Sequence, residues 1–338
     1  MKRIAWFSTL SLLVCPAPGQ TIRPQKNSTA GTIRSTSTLV IVPTLVKSKA
    51  GEFVTNLRPS DFTLTDNGVK QKVSVEEVKN QEIAVAVLMQ TGGAAPAEFQ
   101  NYRTFTSILD VTASTSNRKV ALVTFDSHVQ QIWNFPPKTD GLEYAFAHPS
   151  RGDSGAAIMD AVSRGMDLLQ EQPINLRHVI LLLSQSQDVG SILLPNDVVR
   201  RLGESNTAIY SVTFSAEKIR KQKRDTDTCA TSANQHIQKA VSLNDTPAIV
   251  LKQICRETAS QVAILSGGET ILIKNNDFLK QSLSILANDF SNSYILSFQP
   301  SSHASGFHKI SVGVGTPSSH LIVSARTGYW VRQGASEK

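Results

Sequence analysis

Ile83-Ala84-Val85-Ala86-Val87-Leu88-Met89-Gln90-Thr91-Gly92-Gly93-Ala94 is the stretch whose reading decides the fold. Seven apolar residues, Ile83 to Met89, run without a break. A run of that length and β-branched content suits a strand buried on both faces, as in a parallel sheet covered by helices. It stops at a polar, glycine-rich turn, Gln90 to Gly93. A helical pattern follows, with Phe99, Tyr102, Phe105, Ile108 and Leu109 roughly at helical spacing. Strand, glycine turn and helix open a ligand crevice at the carboxyl ends of an α/β sheet. The turn has no Gly-x-Gly-x-x-Gly and no Gly-Lys-Ser/Thr, which excludes a dinucleotide fingerprint and a phosphate loop.

Working outward, β and α patterns alternate. Strands are predicted at Lys119–Phe125, His178–Leu183, Thr207–Phe214 and Thr270–Ile273, with a short edge strand at Val129–Trp133. Pro136-Pro137 ends that edge, and a loop runs on through Arg151-Gly152-Asp153-Ser154-Gly155. Helices are predicted at 157–170, where Ile158, Ala161, Val162, Met166 and Leu169 share a side, at Asn196–Leu202 and at Pro247–Ser260. A last helix, capped by Asn276 or Asp277, buries Leu279, Leu283, Leu286 and Phe290. Residues 216–246 are polar and read as a surface insertion. Such alternation implies a mostly parallel, Rossmann-like α/β sheet over 81–291.

The flanks are β in character. Leu39–Val46 is a strand, with Pro43 placing it at an edge or bulge. Asp61–Thr65 turns at Asp66-Asn67-Gly68, and Val69, Gln71, Val73 and Val75 continue the alternation. Tyr294–Phe298, Phe307–Val314 and Leu321–Ala325 are strands of the tail. Segments 38–80 and 292–333 are expected to form a joint small β module.

The first residues resemble a secretory signal, 1–19. Lys2 and Arg3 precede an apolar core, Ile4–Val14, and Ala17-Pro18-Gly19 is a small-residue cleavage site. That core is shorter than the ~20 residues a membrane span needs, and no later stretch reaches it. No permanent membrane span is expected. Cys15 admits a lipoprotein reading, although bulky Val14 stands where a small residue is wanted. Residues 20–37 read as a flexible leader. Lys2 and Arg3 leave with the signal and no acidic residue does, so the net charge falls from +7 to +5. Lys218, Arg220, Lys221, Lys223 and Arg224 equal that excess in one run, which argues against a basic nucleic-acid groove spread over a fold. Cys229 and Cys255 then remain as an even pair, and in an oxidising compartment they are the disulfide candidate.

Strand, turn and helix at 83–110, the loop before helix 157–170 and the strand 178–183 resemble a von Willebrand factor type A (VWA) domain. The flanks extend the likeness. Gly51-Glu52-Phe53-Val54-Thr55-Asn56-Leu57, Ser60-Asp61-Phe62-Thr63-Leu64 with Asp66-Asn67-Gly68, Ser293-Tyr294-Ile295-Leu296 and Arg326-Thr327-Gly328-Tyr329 look like motifs of secreted VWFA-related proteins of the acidobacterial type. The resemblance implies a metal-ion-dependent adhesion site, in which three loops supply oxygen ligands to Mg²⁺ and a partner's carboxylate completes the shell. The first loop of such a site reads Asp-x-Ser-x-Ser. Here Gln90, Gly92 and Ala94 take those places. Ala156 stands for the Thr of the second loop, and Gln185 for the Asp of the third. Hard divalent cations need anionic oxygen donors to offset dehydration, so the resemblance implies a degenerate site holding no metal. Asp153, Ser154, Asp188, Thr91 and Ser186 are the residues near enough in sequence to build a displaced one.

Other motifs carry less. Arg151-Gly152-Asp153 spells an integrin tripeptide in what reads as an exposed turn. The seven histidines show no zinc spacing, and there is no Gly-x-Ser-x-Gly elbow. No cofactor is implied. The expectation is an exported, non-enzymatic interaction protein with an unknown protein partner, contacted at Gln90, Thr91, Gly92 and Gln185. The alternatives are a hydrolase or metal-dependent enzyme with an unrecognised site, and a structural envelope component.

Overall fold

The structure is a computed structural model that describes residues 39–79, 82–106, 119–214, 246–302, 304–315 and 321–332. Its strands, in chain order, are β1 (Val40–Lys47), β2 (Phe62–Asp66), β3 (Val69–Gln71), β4 (Ser74–Val78), β5 (Ile83–Gln90), β6 (Val120–Phe125), β7 (Val129–Trp133), β8 (Arg177–Ser184), β9 (Ala208–Thr213), β10 (Thr270–Leu272), β11 (Ser293–Phe298), β12 (Gly306–Val314), β13 (Ile322–Ala325) and β14 (Gly328–Val331). Its helices are α1 (Phe99–Tyr102), α2 (Asp140–Ala147), α3 (Ile158–Gln170), α4 (Pro195–Glu204), α5 (Ala248–Arg256), α6 (Thr258–Ser266) and α7 (Asn276–Ser291).

The expected α/β sheet is present, in the order β10-β9-β8-β5-β6-β7. Five strands are parallel and β7 closes one edge antiparallel. The chain winds outward from β5 to β7, returns to β8 beside β5, and winds the other way. Its topological switch point therefore lies between β5 and β8. All eight residues of β5 are buried, as a strand covered on both faces demands. Val85, Val87 and Met89 pack with Tyr102, Phe146 and Leu283 on one face. Ala84, Ala86 and Leu88 pack with α3, α4 and α6 on the other. The two small alanines let α3 approach closely. Burying each large side chain contributes about 1.5–3 kcal/mol.

The chain's two flanks build a β sandwich from two four-stranded sheets, β13-β1-β11-β4 and β14-β12-β2-β3. Each sheet mixes strands from both flanks, and Val42, Leu64, Tyr294, Leu296 and Phe298 fill the core between them. Pro43 pairs with Ile295 of β11, but β13 begins its pairing at Thr44. The proline sits past the end of β13, where no neighbour asks for its missing N–H. Asn67 (φ 48°) and Gly68 (φ 84°) make the expected tight hairpin turn.

The motif residues of the flanks hold these layers together. Tyr294 hydroxyl donates to Val54 O (2.9 Å) and accepts from Leu57 N–H (3.1 Å), fixing the 51–57 loop. Buried Arg326 donates to Leu202 O, Gly203 O and Ser205 O at the carboxyl end of α4, where the helix dipole favours a cation. Burial with only neutral acceptors brings its guanidinium down to about 10. Tyr329 hydroxyl donates to Asp66 Oδ2 (2.9 Å).

Several expectations are corrected. The continuous strand Val69–Val75 breaks at 72–73, because β3 and β4 belong to different sheets. The loop after Pro137 contains α2, whose Leu142, Ala145 and Phe146 lie at helical spacing and are buried. Helix 247–260 is two helices, separated at Glu257 (φ −144°, ψ 61°). Asn275, not Asn276 or Asp277, caps α7 by accepting from Phe278 N–H (2.8 Å). β14 went unpredicted. Residues 1–38 and 215–245, with the signal, leader, Cys15 and nearly all of the insertion, lie outside the described residues. So does Cys229, whereas Cys255 on α5 is disulfide-bonded. Among the described residues, no helix is long and apolar enough to cross a membrane.

Lys47, at the end of β1, reaches the α/β layer. Its Nζ lies 2.7 Å from Glu269 Oε2 and 3.1 Å from Asp289 Oδ2, and Lys47 and Asp289 are both buried. Burial opposes its charge, yet the two carboxylates prevail and raise its pKa. Removing one partner of a buried ion cluster leaves uncompensated charge. Lys47→Met is therefore expected to lose about 3–5 kcal/mol of stability in urea unfolding at neutral pH. A loss below about 1 kcal/mol would mean that the cluster is solvated and holds nothing.

Candidate functional site

The crevice lies at the switch point, where β5 ends at Gln90 and β8 passes into Gln185. The two side chains cross it. Gln185 N–H donates to Gln90 Oε1 (2.8 Å), and Gln90 Nε2 donates to Gly92 O (2.9 Å) and Gln185 Oε1 (3.1 Å). Gln185 Nε2 donates to Gln187 O (2.9 Å), and Ala94 N–H reaches Gln185 Oε1 at 3.4 Å. Main-chain partners thus fix which end of each amide is nitrogen. Tyr102 hydroxyl donates to Gln90 O (2.7 Å) from below. The network leaves its buried amides satisfied, as interior polar groups require.

The neighbouring loop lies directly on this turn. Gly93 N–H donates to Asp153 O (2.9 Å) and Gly152 N–H to Thr91 O (3.1 Å). A Cβ at Gly92 would sit 2.5 Å from Gly155 O and 2.6 Å from Asp126 Cβ, so no side chain fits there. Ala156 is fully buried and exchanges both main-chain hydrogen bonds with Val189.

Gln90, Thr91, Gly92 and Gln185 are thus brought together, but all four are buried. In this structure the four expected partner contacts are closed off from solvent, and the loops around them form the surface of the crevice. Thr91 hydroxyl is spent on Phe125 O (3.1 Å). Asp188 turns away and accepts from Met159 N–H (2.9 Å) at the start of α3, and burial raises its pKa. Ser186 offers its main-chain oxygen to Ala259 N–H (3.1 Å), and Ser154 is exposed.

Beside the crevice is a grouping that the sequence reading missed. Asp126, His128 and Asp153 bring one ligand atom each within 4.8 Å of one another. Asp126 follows β6, the carboxyl end of a strand next to the switch point, so the rule applied to Gln90 could have found it. The carboxylates are occupied. Asp126 Oδ1 accepts from His128 N–H (3.1 Å), and Oδ2 from Gln130 Nε2 (2.7 Å) and Asp153 N–H (3.2 Å). Asp153 accepts from the hydroxyl and N–H of Ser127 and from Gly155 N–H (2.8 Å). This clasp ties loop 151–155 to the end of β6. Burial would raise the Asp126 pKa, but those donors outweigh it and lower it. The Ser127 hydroxyl, with the Gly155 N–H, lowers that of Asp153.

A cavity of about 450 Å³ opens next to the clasp. Met89, Thr91, Thr124 and Asp126 line it, as do Trp133 and Tyr144.

No family model matches the chain, and no curated protein matches it. Among solved structures, the conserved hypothetical protein BatB from Bacteroides thetaiotaomicron aligns with 12% identity and a TM-score of 0.40, over 62% of this chain and 98% of that one. The von Willebrand factor type A protein from Catenulispora acidiphila aligns with 8% identity and a TM-score of 0.41, over 80% and 72%. The manganese-loaded TRAP protein of Plasmodium vivax gives 9%, 0.37, 75% and 97%.

A carboxylate with a lowered pKa stabilises the fold above its unfolded pKa, and that contribution is lost as pH falls through the folded value. Asp126→Asn is expected to cost about 1–3 kcal/mol at pH 7, with the difference from the parent narrowing below about pH 4. Carboxyl carbon titration by NMR checks the premise: both midpoints should fall below the usual ~3.9. Midpoints above that value would mean that the clasp is open in solution.

Proposed function

We propose that this is an exported, non-enzymatic protein-interaction domain of VWA type whose crevice works without a metal ion. The observation that carries the reading is the Gln90–Gln185 amide pair, together with the closure of Gly92 by Gly155. Where a metal site would offer anionic oxygens, this one places an amide N–H2 between two acceptors. Restoring a serine at Gly92 has no room. The ordered motifs of the sequence and the doubly wound sheet support the VWA assignment, and the segment 1–19 supports export. A catalytic role finds little support in the β sandwich. His308 has Asp66 Oδ1 at 3.0 Å from Nδ1 and Ala304 O at 2.7 Å from Nε2, so neither ring nitrogen is left for a substrate.

Two measurements test the metal-free crevice. Calorimetric titration with Mg²⁺ or Mn²⁺ should give no saturable heat at micromolar concentrations. Gln90→Glu sets a carboxylate against Gly92 O and Gln185 Oε1, two acceptors. It should lose about 3–5 kcal/mol at pH 7, with partial recovery on acidification as the new carboxyl protonates. Added Mg²⁺ should not rescue it. Micromolar binding by the parent, or rescue of the variant by Mg²⁺, would show a working cation cradle and end this reading.

A further inference from the structure

Building on the metal-free reading, we propose that the cavity beside the clasp receives an organic cation: the guanidinium or ammonium group of a partner's arginine or lysine side chain. The cavity sits at the carboxyl ends of β5 and β6, where open α/β sheets hold ligands. Its volume of about 450 Å³ is ample for one long side chain.

Charge selects the occupant. Asp126, whose side chain is 5% exposed, underlies the cavity as a carboxylate. Its hydrogen bonds come from neutral donors: an amide side chain and two main-chain N–H groups. Asp153 adds a second carboxylate at the surface. Among the described residues, no lysine or arginine forms an ion pair with either; their nearest partner is the exposed His128 ring, 3.4 Å from Asp126 Oδ1. Arg151 at the mouth is the single full cation of the lining, so the lining carries one net negative charge on a chain of net +7. A buried carboxylate offset only by dipoles projects a negative potential into the space above it.

The walls favour the same occupant. Trp133 and Tyr144 line the cavity, and the face of an aromatic ring attracts cations. Tyr144 is 67% exposed and stacks on His148 at 4.5 Å between centroids, which presents a braced flat surface. A divalent metal ion is a poorer candidate. It needs several free oxygen donors, whereas the oxygens of Asp126 and Asp153 already accept hydrogen bonds. An arginine or lysine head needs only the field and the ring faces, with spare N–H groups left for water. An acidic partner would meet the carboxylate floor and be repelled.

The experiment titrates the full chain at low salt with Nα-acetyl-arginine amide and Nα-acetyl-lysine amide, read by calorimetry and tryptophan fluorescence. The controls are the matching norleucine and glutamate amides and methyl glucoside. The expected result is saturable binding of the two cations alone, arginine the tighter, weakening as salt rises. Tyr144→Ala, at an exposed position, should weaken it about fivefold, and Asp153→Asn about threefold. Trp133→Phe should keep binding within about threefold, because the ring face survives the change. Equal binding of norleucine amide, preference for the glutamate amide or the glucoside, or no binding of either cation at millimolar concentration would overturn the proposal. In each of these cases the metal-free crevice stands if Mg²⁺ still gives no heat. Micromolar Mg²⁺ binding would remove that reading and leave the cavity result to stand alone.

Discussion

The side-chain amide of Gln90 lies between the main-chain oxygen of Gly92 and the side-chain oxygen of Gln185, cut off from solvent. Two buried acceptors facing one another need a donor between them, because unsatisfied polar groups in the interior are costly. A cation can fill that place, and so can an amide N–H2. The choice propagates outward. A cation brings water and an open coordination position with it, and the loops around it must stand apart. An amide demands only its hydrogen bonds and lets the loops close. Gly92 is small enough for Gly155 and Asp153 to settle on it, and Ala156 is small enough to be buried beneath Val189. Gly92 and Ala156 thus belong with the two glutamines as one packing solution.

That solution needs a rigid platform, and the charged groups elsewhere supply one. Lys47 ties β1 to Glu269 and Asp289, and Arg326 ties β13 and β14 to the end of α4. Both attachments lie between the β sandwich and the α/β layer. Each is a buried cation held by partners on separate segments, so it specifies one arrangement of the layers more than it adds net stability. The sheet itself is centred on β5, whose Ala84 and Ala86 on one side and larger residues on the other set how near the helices come.

The central sheet was legible because parallel strands buried on both faces leave continuous apolar runs, as β5, β6 and β8 do at their centres, while β9 keeps a run broken only by Ser211. Short elements were not. α2 has only eight residues and β14 only four, too few for periodicity to separate from chance. The split at Glu257 and the break between β3 and β4 depend on what each segment packs against, which spacing along the chain does not record. At the crevice, the absence of carboxylates was plain from Gln90, Gly92, Ala94, Ala156 and Gln185. How those residues bond to one another was not, since a hydrogen bond across 95 residues has no local signature. Asp126 escaped attention for a related reason: its role comes from the loop 151–155 that folds onto it.

Closing the crevice also moves the chemistry sideways. A cation-loaded adhesion face is locally positive and seeks a partner's carboxylate, and its charge sits at the switch point. With neutral amides there, the carboxylates that line the neighbouring cavity are Asp126 and Asp153, on the β6 side. Their carboxylates are held by hydrogen bonds that stabilise the ionised form without cancelling its field. Trp133 and Tyr144 stand on that same side, on the edge strand β7 and on α2. Two carboxylates against one arginine leave the cavity lining net negative, which favours a basic group there over an acidic one.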